Sequence, residues 1–260
     1  MYYIASVSLG KDSYAMVNLI IDKGLPLDEV VFYDTGAEFP CIYRLWEVLK
    51  RRLEDNNIKY TTLHPSTPFF DKMFNVTVKN RCGDGTHLGY SWCGGRCRWG
   101  TTEKVKTIDK YCESKNAYVY VGIAADENRQ KDKPYKLHPL KDLGYTEAMC
   151  LDYCRSIGAE WLEDGVDLYD ILDRVSCWCC ANKNTYELYQ YWKNLPTWWG
   201  KLLELQRKNS RPFKQGLYGY NLFELEERFK SGYVPKKRNK YTPFQKFNSE
   251  VEGVSYVKEN

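Results

Sequence analysis

The chain has 260 residues, 43% of them hydrophobic, so it can bury a sizeable core and wholesale disorder is excluded. Its net charge of +4 is uneven: from Lys201 onward 13 Lys/Arg face 7 Asp/Glu (+6), leaving 25 against 27 (−2) before it. No run approaches the roughly 18 apolar residues of a membrane helix, and the first cation, Lys11, comes too late for a secretory signal, so the expectation is a cytoplasmic protein without a membrane partner. In such a compartment ten cysteines read as thiols or metal ligands rather than disulfides.

The β-prone run Tyr2 to Val7 is followed by Ser8-Leu9-Gly10-Lys11-Asp12-Ser13 and then by apolar residues at helical spacing from Tyr14 to Ile21. A strand, a tight turn and a helix aim the first helical N–H groups and the positive end of the helix dipole at an anion above the strand. Gly10 allows close backbone approach, Ser8 and Ser13 offer hydroxyls, and Lys11 adds a cation. Asp12 fits a helix cap or a Mg²⁺ ligand, so the expected guest is a phosphate.

A second strand is expected at Glu29 to Tyr33, then a polar loop Asp34-Thr35-Gly36-Ala37-Glu38-Phe39-Pro40. A helix from Cys41 to Glu54, with Ile42, Leu45, Trp46, Leu49 and Leu53 on one face, leads to a third strand from Ile58 to Leu63. The loop from Arg81 to Gly100 is rich in Gly and Cys, and a helix (Thr101 to Lys115) and a further strand (Ala117 to Ile123) follow it. The reading is an α/β fold: an open, mainly parallel twisted sheet with helices on both faces, its ligands held at the carboxyl ends of the strands. Residues 1–182 form this unit, and 183–260 form a mainly helical, aromatic-rich extension ending in a basic tail.

Ser-x-Gly-x-Asp-Ser resembles the pyrophosphate loop of the adenine-nucleotide α-hydrolase (PP-loop ATP pyrophosphatase) superfamily, and Asp34-Thr35-Gly36-x-Glu38-Phe39-Pro40 resembles the matching segment of its phosphoadenosine phosphosulfate (PAPS) reductase-like members. The strand end Gly122 to Arg129 resembles that family's anion-binding segment, with Ala124 where many relatives carry Arg, and His138-Pro139-Leu140 resembles its Tyr-Pro-Leu. The resemblance implies a site for ATP, or for adenylyl sulfate or PAPS, made by Ser8, Gly10, Lys11, Asp12, Ser13, Asp34, Thr35, Gly36, Glu38 and Arg129, with Lys11 and Asp12 catalytic and Mg²⁺ bound.

Cys177-x2-Cys180 has the spacing for two thiolates of one turn to grasp a metal, and Cys93 with Cys97, 80 residues before Cys177, can supply the other pair. Four such ligands suit a four-iron four-sulfur cluster or a zinc ion, with Cys179 as a spare and His87 as an alternative. Cys41, Cys112, Cys150 and Cys154 read as buried thiols.

The sulfonucleotide reductases use a nucleophilic cysteine in a C-terminal tail, whereas no cysteine follows Cys180 here. The leading expectation is therefore an enzyme that adenylates an acceptor with pyrophosphate release, in a sulfur transfer to nucleic acid or a small molecule and with a sulfur-donor protein as partner. A PAPS or adenylyl-sulfate reductase using Cys82 is the second reading. The third is a non-catalytic nucleotide- or nucleic-acid-binding module, with Lys236 to Lys240 as cations and Trp198, Trp199, Tyr218 and Tyr220 as stacking rings.

Overall fold

In the computed structural model the described residues are 1–80, 83–93, 97–128, 133–214 and 219–237. Cys82, Arg129 and Tyr218, singled out in the sequence, and the tail beyond Lys237 lie outside them.

The first half builds a parallel sheet by alternation. Strand β1 (Tyr2–Val7) leads to helix α1 (Lys11–Asp22), strand β2 (Glu29–Tyr33) to α2 (Pro40–Asp55), and then comes β3 (Lys59–Leu63). A short helix α3 (Phe69–Phe74) and an antiparallel hairpin, β4 (Thr77–Lys79) with β5 (Thr86–Leu88), occupy the stretch that reads as loop in the sequence. A π-turn at Arg98–Thr102 runs into α4 (Glu103–Ser114), followed by β6 (Ala117–Val121) and β7 (Lys136–Leu137). The sheet order is β3-β2-β1-β6-β7, every pair parallel.

Because the chain steps outward from β1 to β3 and then returns to β1's other side as β6, the order reverses between β1 and β6. Such a reversal opens a crevice at the carboxyl ends of the strands, where open α/β sheets bind ligands. Residues 8–10, 34–39 and 122–127 all lie on that edge.

Alternation along the strands divides the core. Ala5, Val7, Val30 and Phe32 face α1 and α2, while Ile4, Val31, Tyr33 and Val119 face α4 with Ile108 and Cys112, so helices cover both faces. Helix α2 is held by a stripe of Ile42, Leu45, Trp46, Leu49 and Leu53, each apolar side chain contributing about 1.5–3 kcal/mol.

The remaining chain adds α5 (Pro139–Asp142), α6 (Glu147–Ser156), the small hairpin β8 (Leu162–Glu163) and β9 (Val166–Asp167), and α7 (Leu168–Ile171). Helices α8 (Thr185–Asn194), α9 (Pro196–Lys208) and α10 (Leu222–Lys230) form the extension; α8 and α10 open on capping boxes, Asn184 with Glu187 and Asn221 with Glu224. Their apolar faces join the same core as α1 and α2. Trp198 and Trp199 are buried there, Trp198 edge-on to Phe39 and Trp199 donating to Glu226. The two rings expected to stack on nucleic acid are spent on packing. Among the described residues no helix is long and apolar enough to cross a membrane.

Two constraints fix the crevice. A Cβ on Gly122, at the end of β6, would lie 2.8 Å from Ser13 Cα, so only glycine lets this strand end pass the start of α1. At the opposite edge Glu29, 0% exposed, accepts from Tyr2, Thr61 and Tyr111 and pairs with Lys115 at 3.3 Å. Burial pushes its carboxyl up, but those donors outweigh burial and hold it below the ordinary range.

Gly122→Ala is expected to lower stability by about 1–3 kcal/mol in denaturant melts through backbone overpacking. Since Glu29 is more acidic folded than unfolded, its stabilisation is present above the unfolded carboxylate pKa of about 4.3 and is lost as pH falls through the folded value. Glu29→Gln should therefore be less stable than the parent at pH 7, by about 1–3 kcal/mol, and the gap should close on acidification, read from melts at pH 7 and pH 3.

Candidate functional site

The loop between β1 and α1 is built by a backbone reversal and closed by later parts of the chain. Leu9 has φ 59°, left-handed for a residue with a Cβ, at a cost of about 1–2 kcal/mol. Its side chain is fully buried and its carbonyl accepts Trp161 Nε1 at 2.9 Å, which offset that cost. Ser13 Oγ accepts the Ser8 amide at 3.1 Å and donates to the Gly10 carbonyl at 3.1 Å, cinching the loop across the helix start. Gly10 is the N-cap of α1 with no side-chain bond, so Asp12 is not a cap and lies in the first turn.

Lys11 is 6% exposed, and its ammonium is bound to Asp12 at 2.7 Å and to Glu147 of α6 at 3.0 Å. Its amide donates to Tyr169 Oη at 2.8 Å, and its carbonyl accepts the Cys154 thiol at 3.3 Å. Burial disfavours the ammonium, but the two carboxylates outweigh it and raise its pKa. Asp12 moves up as well: burial dominates, Lys11 opposes it, and Glu147 and Asp126 add repulsion. The cation gains two anions, whereas each anion shares one cation and faces other acids.

The neighbouring loop, after β2, is equally ordered. Asp34 accepts the Gly36 amide at 2.7 Å and the Tyr43 hydroxyl at 2.8 Å. Thr35 donates to Glu38 at 2.9 Å. The Cys177 thiol reaches into this pair, 3.6 Å from Thr35 Oγ1 and 3.8 Å from Glu38 Oε1, while the Trp178 amide donates to the Ala37 carbonyl. Burial pushes both the Glu38 carboxyl and the Cys177 thiol above their ordinary pKa values.

Of the expected cysteine set, Cys177 and Cys180 share one turn. Cys97 precedes the π-turn, Glu103 at the start of α4 pairs with Lys72 of α3, and α3 places Phe70 against Trp178. Cys93, Cys97 and Cys177 pack against the same core. Among the described residues no group of three His, Cys, Asp or Glu side chains forms a ready-made metal site. His87 pairs instead with Asn80 on the hairpin. Cys41, Cys112, Cys150 and Cys154 are buried thiols; burial lifts Cys112 to about 11 and Cys150 to about 12.

Lys183, beside this turn, is 3% exposed. Its ammonium donates to Ser176 at 3.0 Å and lies over the rings of Tyr191 (5.0 Å) and Phe39 (5.9 Å), with no carboxylate within ion-pair distance among the described residues. A desolvated cation–π contact returns about 2 kcal/mol, against a penalty of several kcal/mol for a buried ion.

Three residues that close the phosphate-type loop, Glu147, Trp161 and Tyr169, carry no motif. The signal available was generic: two aromatic residues and an acid in a segment whose helices must pack on α1.

Strand–turn–helix loop and switch-point crevice together define a nucleotide-binding α/β domain. The chain belongs to the phosphoadenosine phosphosulfate reductase domain family, whose match spans residues 2–138, just over half its length. Among solved structures it is similar to the U34-tRNA thiolase NcsA from Methanococcus maripaludis with its [4Fe-4S] cluster, at 13% identity and a TM-score of 0.44, covering 80% of this chain and 72% of that one. No curated protein matches.

Tyr169→Phe deletes the acceptor of the Lys11 amide while keeping the ring. The expected loss is about 1–3 kcal/mol if that amide is left buried and unpaired. Denaturant melts measure it, and an unchanged midpoint would show that the amide finds another acceptor.

Proposed function

We propose that this protein is an ATP-using enzyme of the PP-loop class that activates an acceptor oxygen as its adenylate for replacement by sulfur. What supports this reading most is one contact: the Cys177 thiol touches Thr35 and Glu38, the loop beside the Ser8–Ser13 turn. Sulfur chemistry and phosphate chemistry then share one crevice.

In this reading the β- and γ-phosphates lie over the start of α1, against its N–H groups and the Ser8 and Ser13 hydroxyls. Phosphate draws the Lys11 ammonium from its two carboxylates, which frees Asp12 and Glu147. Mg²⁺ is commonly held by one or two carboxylates plus the phosphates, so Asp12 and Glu147 fit it without a protein cage, and it would neutralise charge on the leaving pyrophosphate. The acceptor oxygen attacks the α-phosphorus, the bond from that phosphorus to the bridging oxygen breaks, and pyrophosphate departs. A sulfur nucleophile then takes the acceptor carbon and AMP leaves with the oxygen. No step is routed through an iron–sulfur cluster.

The test supplies ATP, Mg²⁺ and sulfide with a bulk RNA fraction or a small-metabolite extract, and measures pyrophosphate. Acceptor-dependent release is expected, falling at least tenfold in Lys11→Met, a loss of about 1.4 kcal/mol or more in the transition state. Release of sulfite from adenylyl sulfate and a thiol, without ATP, would overturn the reading in favour of a sulfonucleotide reductase.

A further inference from the structure

Lys183 is a buried cation with no carboxylate partner among the described residues. Its single hydrogen bond, to Ser176, leaves two N–H groups without an acceptor among the described residues, and the rings of Tyr191 and Phe39 give it only a diffuse negative surface. Glu187, in the first turn of the helix that follows it, is occupied in the capping box with Asn184. Around it stand the Cys177–Cys180 turn, whose Cys180 carbonyl accepts the Lys183 amide, and Cys179, which is 2% exposed. Natural chains rarely bury an ammonium without a counter-charge unless the counter-charge arrives with a ligand.

We propose that Lys183, with Ser176, forms the binding position for a small sulfur-bearing anion at the Cys177–Cys180 turn. The inference rests on the sulfur-transfer reading above and names its cargo: a small soft anion, held non-covalently by the ammonium at the turn whose Cys177 touches the Thr35–Glu38 loop. The Lys183 ammonium and the Ser176 hydroxyl supply the anion's partners, and the backbone bond from Lys183 to Cys180 ties them to the thiol turn. Hydrosulfide, as the sulfur to be transferred, and sulfite, as the product expected of a sulfonucleotide reductase, share this chemistry.

The experiment uses the full chain, anaerobic and with a phosphine reductant throughout, and follows thermal midpoint and tryptophan emission, since Trp178 lies in the turn and Trp198 against it. The titrants are sodium hydrosulfide, sodium sulfite and sodium chloride, each with and without ATP and Mg²⁺. Hydrosulfide is expected to raise the midpoint of the parent in a saturable way, with at least tenfold weaker apparent affinity in Lys183→Met, whose ligand-free midpoint should rise because an unpaired buried charge has been removed. Lys183→Gln, which keeps the Ser176 bond but not the charge, should also lose the response; it serves if the methionine variant does not fold. A saturable response to sulfite alone would keep the anion site and assign it to a reductase. Equal response to chloride, or a lower ligand-free midpoint in both variants with the hydrosulfide response intact, would overturn the proposal and leave Lys183 a packing residue. The ATP-induced shift is expected in parent and variants alike, so its absence marks failure of the nucleotide reading rather than of this one.

Discussion

The structure turns on one buried ammonium. Lys11 stands at the first position of α1, where the helix dipole already supplies positive potential, and burying a cation there is tolerable only because Asp12 and Glu147 neutralise it. That requirement reaches far along the chain: Glu147 must be delivered by α6, and α6 packs on α1 through Cys150 and Cys154. Tyr169 and Trp161 then seal the loop from the other side. The first turn of the first helix is thus held ready by residues more than 130 positions later.

Under the proposed function, an incoming phosphate would compete for the ammonium with Glu147 and with Asp12, whose carboxyl burial raises. The crevice between β1 and β6 adds the steric condition, since Gly122 brings the β6 end against Ser13 with no side chain between. The helical extension completes the site rather than forming a separate body, laying Trp198 and Tyr191 on Phe39 directly above the thiol turn.

The sheet could be read from the sequence because its information is local. β1 and β2 begin and end where alternation and turn residues place them, and the buried stripe of α2 matches its spacing residue for residue. What could not be read depends on distant contacts. The hairpin formed by β4 and β5, only three residues a strand, is shaped by packing rather than propensity. Trp198 and Trp199 looked like a stacking surface because rings beside cations have that composition, yet burial decides their role and composition does not report it. Likewise Lys11 was legible as a cation at the start of α1, but its two acidic partners required the fold. The cysteine spacing singles out Cys177, but its contact with the Thr35–Glu38 loop joins residues 139 or more positions apart and leaves no signal in the sequence.

The most direct test of the central claim is a crystal structure of the full chain with a non-hydrolysable ATP analogue and Mg²⁺. The account predicts the terminal phosphates over residues 8–13, Lys11 turned from Asp12 and Glu147 toward them, and the α-phosphate open to the side where Cys177 lies. Phosphates bound elsewhere, or the Lys11 ion pairs unbroken beneath a bound nucleotide, would contradict it.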